Sequence, residues 1–193
     1  MFLLLQGSLL PCLRAQQRPK ENKTNTAELY TDADAYEIYA VLLGGEKGSS
    51  FVVQAQTDSW EKTTTDNLGI KGDSKFMKLW GTTLSDFVTK YRPPRILTKN
   101  IPLSAPYEIV PEVAINTILH EGGWNALSER YPLAHGFYTF SAVGFNPQRN
   151  RAIVWMLNQC GELCGGGTYH FFEKKDGKWR EVPVHASVPM LAF

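Results

Sequence analysis

Two cysteines stand in the block Cys160-Gly161-Glu162-Leu163-Cys164-Gly165-Gly166-Gly167, and four histidines, His120, His135, His170 and His185, are spread around it. Thiolates and imidazoles bind zinc and attack carbonyls, so these residues define the chemistry the chain is equipped to attempt. Their spacing argues against both. A redox pair takes C-x-x-C and a nucleophilic thiol takes a positioned base, whereas here the motif is C-x3-C with no histidine beside it. Zinc would have to recruit Cys160, Cys164 and His170 with His135 or His120, and that separation matches no common ligand pattern. His120-Glu121 begins as a zincin helix does, but Trp124 occupies the place of the second histidine and Gly122-Gly123 breaks a helix. No metal or cofactor site is expected.

The remaining cysteine, Cys12, lies near the N-terminus, which leaves Cys160 and Cys164 as an even pair and makes a disulfide their simplest fate. A disulfide holds its Cα atoms about 4.4–6.8 Å apart, while four extended steps span about 13 Å, so this bond reverses the chain over Gly161-Glu162-Leu163. Gly165-Gly166-Gly167 has no following Lys-Ser/Thr and no helix on which a phosphate could sit. Glycines in a strand mark a bulge or a backbone left bare to an incoming group, so alanine at Gly165 or Gly167 is expected to destabilise. Gly165, Gly166 and Gly167, with His135 and His170, are therefore the ligand-binding candidates.

The elements that carry these residues read as antiparallel strands. Runs 137–145 and 151–160 are rich in β-branched and aromatic residues and are joined by Asn146-Pro147-Gln148-Arg149-Asn150; runs 168–175 and 178–185 are joined by Asp176-Gly177, a two-residue hairpin turn. Setting Cys160 opposite Cys164 puts Arg151 opposite Glu173, and the Asp-Gly turn independently puts Glu173 opposite Arg180. One face then carries Ile153, Trp155, Leu157, Tyr169 and Phe171, and the other Ala152, Val154, Met156 and Phe172. The first is apolar enough to be a core, and the second is expected to be half covered. Helices must lie against such a sheet. Tyr36, Tyr39, Ala40 and Leu43 form a helical stripe after Thr31-Asp32, Leu84, Phe87, Val88 and Tyr91 a second before Arg92-Pro93, and further helices are expected over 111–119 and 124–131. Residues 50–57 alternate as a half-buried strand, and Asp58 to Gly81 reads as a long polar loop. The expectation is one α+β domain over 28–193, with a C-terminal four-stranded antiparallel meander packed against N-terminal helices.

At 193 residues with 43% hydrophobic content the chain suits one globular core, and a net charge of +1 carries no nucleic-acid footprint. Residues 1–15, MFLLLQGSLLPCLRA, form a short apolar run ending in a small residue, the shape of a signal peptide, and residues 16–27 read as a polar tether. No run approaches the ~20 apolar residues of a membrane span. Export to a periplasmic or secreted location follows as the expectation.

Ser141-Ala142-Val143-Gly144-Phe145-Asn146, then Cys160-Gly161-x-x-Cys164-Gly165-x-Gly167 and Lys175-x-Gly177-x-Trp179, resemble a pattern of uncharacterised exported bacterial proteins, strongest over the last third of the chain. The resemblance implies an exported fold of this kind and carries over no site. Function is accordingly expected to be non-catalytic binding of a small molecule or protein partner, suggested by the aromatic-rich sheet and the polar loop. The alternative is a hydrolase whose His120, Glu121 and His135 converge only in three dimensions.

Overall fold

The computed structural model describes residues 27–46 and 50–192; the leader and all but the end of the tether lie outside the described residues. The chain runs through β1 (Glu28–Leu29), α1 (Ala33–Gly45), β2 (Phe51–Gln54), β3 (Lys71–Gly72), α2 (Ser74–Tyr91), β4 (Arg95–Ile96), β5 (Tyr107–Val110) and α3 (Glu112–Arg130). It continues through β6 (Phe137–Phe140), β7 (Gly144–Phe145), β8 (Arg151–Gly161), β9 (Cys164–Lys175), β10 (Lys178–Glu181), β11 (Ala186–Ser187) and β12 (Met190–Ala192).

The fold is α+β, but the C-terminal strands are not a meander standing alone. They belong to an eight-stranded sheet of order β10-β9-β8-β6-β2-β5, with β7 also alongside β8 and β12 alongside β9. Pairing is antiparallel from β10 through β8 to β6 and β7, then parallel from β6 to β2 and from β2 to β5. The parallel half arises because α2 and α3 return the chain each time to the same end of the sheet, as crossover connections do. Phe51, Val52 and Val53 of β2 are all buried, which corrects the half-buried reading of that strand. A strand with parallel neighbours is covered on both faces.

The register of the long hairpin is the expected one from Arg151 to Gln159, but Cys164 lies opposite Gly161 and not opposite Cys160. Arg151 lies opposite Glu173 and Glu173 opposite Arg180, and the only shift falls between Gln159 and Gly161, leaving Cys160 as the extra residue of a bulge. Cys160 and Cys164 are disulfide-bonded with Cα atoms 5.1 Å apart. The Asp176-Gly177 turn has φ of 52° and 73°, the positive values a two-residue hairpin needs.

Both faces of the sheet are covered. Tyr36, Ile38, Tyr39 and Leu43 of α1 pack with Val53, Phe140, Val154 and Phe172 on one side. On the other, Phe76, Trp80, Leu84 and Phe87 of α2 meet Ile153 and Phe171, while Ile115 and Leu127 of α3 meet Val52 and Phe137. The expected open face is thus closed by α1. The expected loop from Asp58 to Gly81 is shorter than its sequence suggested, because Asp73 starts α2: its Oδ1 accepts the Phe76 N–H at 2.7 Å. The break at Gly122-Gly123 is real, with Gly123 at φ 64° and ψ −158° dividing α3 into two segments.

Candidate functional site

The strap that follows β10 makes a site possible. Val182 N–H still bonds the Phe171 carbonyl at 2.8 Å, but Pro183 has no N–H to give, so pairing stops and the chain crosses over the start of α2. There β11 pairs with β3, Ala186 opposite Gly72. Val182, Val184, Ala186 and Val188 alternate inward against the α2 cluster, while Pro183 and His185 are the more exposed residues of the strap.

Between strap and helix lies a half-open cavity of about 310 Å³. Phe76 and Trp80 form its floor, both edge-on to Phe171 with ring centroids 5.9 and 5.1 Å away. Leu79, Val182, Pro183 and Val184 wall it, and Asp73, Lys75, Glu173 and His185 bring polar groups to its lining. Glu173 arrives there from the hairpin register: its Oε1 accepts from Arg151 Nε at 3.3 Å, and the Arg151 guanidinium lies 5.9 Å from the Trp80 ring. A concave apolar floor with a few polar groups at the edge suits recognition of a small molecule. His185 makes no hydrogen bond to Asp73 or Glu173, whose hydrogen-bond partners are the Phe76 N–H and Arg151.

On the same sheet face Tyr91 donates to Asp58 Oδ2 at 2.6 Å, and burial together with that carboxylate holds its phenol well above the usual tyrosine value. Tyr169, partly buried near the same carboxylate, is pushed up to about 12. Both hydroxyls stay protonated at neutral pH, and neither lines the groove.

The residues singled out from sequence are dispersed. His120 and Glu121 lie in a shallow depression on α3 with Glu112, Val113, Asn116 and Thr117, and exposed His135 is not part of it. Among the described residues no hydrogen bond joins any two of His120, Glu121 and His135. His170 Nδ1 lies 2.7 Å from Glu181 Oε1, an imidazole–carboxylate pair on the sheet face opposite the groove. The glycine run is not bare: Gly166 and Gly167 are paired with Asn158 and Leu157 of β8 on one side and with Ala192 and Leu191 of β12 on the other, and the bulge sits at Cys160 instead. Among the described residues no three His, Cys, Asp or Glu side chains converge as a metal cage does. Sequence reasoning missed Lys75, Leu79, Trp80 and His185. Their signal was the period-two alternation from Val182 to Val188 and the Phe76-Trp80-Leu84 stripe.

No family model matches the sequence, and no curated protein or solved structure shows significant similarity to it.

Proposed function

We propose that this chain is an exported binding domain that holds a small amphipathic molecule in the groove between α2 and the strap, without acting on it chemically. The observation that carries this reading is the cavity of about 310 Å³ in which Phe76, Trp80 and Val184 meet Asp73, Lys75 and Glu173. Small-molecule sites start at roughly 300 Å³ and combine an apolar lining with few polar groups. Export is supported by the apolar leader, by the resemblance to exported bacterial proteins, and by the Cys160–Cys164 bond, since disulfides persist in oxidising compartments. Among the described residues no helix is long and apolar enough to cross a membrane.

Ligand-observed NMR with a panel of amphipathic fragments tests the site against Leu79→Arg, which places a guanidinium at the groove wall from a position 40% exposed. Fragments should bind the parent and be released by the variant while both melt at the same temperature; equal binding to both would remove the groove as the site. The hydrolase alternative is checked on the same samples. Turnover of a nitrophenyl ester that falls on His120→Ala or His135→Ala would overturn the non-catalytic reading.

A further inference from the structure

We infer that the strap is a gate: the structure holds it closed, and an amphipathic molecule reaches the floor of the groove only when the strap lifts off β3. This rests on the groove reading above and adds the movement that admits the occupant.

The closed state follows from the floor. Phe76 is 5% exposed and Trp80 3%, so with the strap down an apolar body finds almost none of the ring surface that would hold it. Their cover is the strap, whose Val182, Val184, Ala186 and Val188 pack against the cluster these rings belong to while each stays partly exposed. The opposite wall, α2, is not free to move. Leu84, Phe87 and Val88 set it into the same cluster as Ile153 and Phe171 of the sheet, and its backbone passes so close to β7 that a Cβ on Gly144 would run into Phe87. The strap is therefore the wall that yields.

Its attachment has the form of a hinged handle. The chain leaves the edge of β9 where the Val182 N–H bonds the Phe171 carbonyl, and rejoins it where Met190 lies opposite Thr168, whose Oγ1 donates to the Pro189 carbonyl at 3.0 Å. Those two points on β9 are about 10 Å apart, whereas the chain from Val182 to Met190 could span about 26 Å. The surplus makes the arch over α2. Beneath its ends Tyr169 and His170 are paired, among the described residues, only with β8. Pro183 and Pro189 stand at the two ends and have no N–H with which to bind the arch down. Between them the strap is held by the two-residue pairing of β11 with β3 and by half-buried aliphatic side chains. A surface loop with fixed, neighbouring ends and so few ties opens at lower cost than the sheet it springs from, as the lids of binding sites do.

The test locks the gate. Lys71 and Ser187 are exposed partners across β3 and β11, and cross-strand Cα atoms about 4.5–5.5 Å apart lie within the reach of a disulfide, so Lys71→Cys with Ser187→Cys ties the strap down on oxidation. N-phenyl-1-naphthylamine, a neutral amphipathic dye that brightens in apolar surroundings, is mixed with each protein in a stopped-flow instrument, with the Cys160–Cys164 bond intact. The oxidised double variant should take up the dye about tenfold more slowly than the parent, because its binding-competent state is depleted. A phosphine reductant should restore that rate and leave the parent's unchanged. Val188→Ser, under the strap but outside the lining of the groove, should loosen the strap and speed uptake. Uptake by the locked variant at the parent's rate removes the gate, and the groove reading still stands if Leu79→Arg abolishes uptake. A parent that takes up no dye, or uptake that Leu79→Arg leaves unchanged, removes groove and gate together.

Discussion

Gly167 has no side chain because its place is taken. A Cβ there would lie 2.6 Å from Cζ2 of Trp155, 3.0 Å from the Met156 carbonyl oxygen and 3.1 Å from Cδ1 of Leu157. Gly136 is bound more tightly still: φ is 79°, and a Cβ would lie 1.9 Å from the Gln159 carbonyl oxygen, beside the Cys160 bulge. Gly165, at φ 158°, has nearly extended backbone and carries no such strain, so the third glycine of the run is the one that packing demands. Gly167→Ala should therefore cost roughly 1–3 kcal/mol by overpacking. Gly136→Ala should cost more, because a backbone atom cannot move aside as a side chain can. Glu162→Ala, at the exposed hairpin turn, should stay within about 0.5 kcal/mol of the parent. Urea unfolding of the three variants measures this, and a Gly167→Ala midpoint equal to that of the parent would contradict the packing around Trp155.

At the scale of elements, α1 is fixed to the sheet by charge at its first turn. Asp34 accepts from Lys174 Nζ at 2.6 Å, Trp179 Nε1 at 3.2 Å and Arg149 Nε at 3.0 Å, and Arg149 also reaches Asp32 at 2.6 Å. Partial burial alone would raise the Asp34 carboxyl; the three donors outweigh it and hold the group below its ordinary value. A carboxyl whose pKa is lower folded than unfolded contributes its full stability above the unfolded value, near about 4, and loses it as pH falls through the folded one. Asp34→Asn should thus melt below the parent at neutral pH, and the gap should narrow as pH is lowered toward about 3. A gap that stays constant across that range would show that these donors do not hold α1. The sequence revealed the elements whose signal is local. The Asp-Gly turn, the glycine break in α3 and the α1 stripe are each decided within a few residues. β5 was not legible, because Tyr107–Val110 is short and declares itself only by pairing with β2, far away in the chain. The first turns of α2 were hidden by Lys75, Met77 and Lys78 between its buried aromatics, although Asp73-Ser74 was a readable cap. The groove was illegible for a different reason: it joins two segments roughly a hundred residues apart, and nothing in either announces the other.

For the whole molecule, the disulfide and the groove lie at opposite ends of the long hairpin. From Cys164 to Glu173 the strand covers roughly 30 Å at about 3.3 Å per residue, and the layers between, α1 on one face and α2 on the other, are packed from other elements. Closing the short Cys160–Cys164 loop is worth roughly 2 kcal/mol in the chain-entropy model, acting on the unfolded chain and not on any contact at the far end. Reduction should therefore lower the melting temperature by roughly 4–8 °C. It should leave the affinity of the groove for the amphipathic fragments unchanged at temperatures where the reduced protein is still folded. Parallel melting curves and titrations with and without a phosphine reductant decide it. Binding that weakens while the far-ultraviolet spectrum is intact would mean that the hairpin transmits the state of its tip along β9 to Glu173, and the two ends would then have to be treated as one coupled unit.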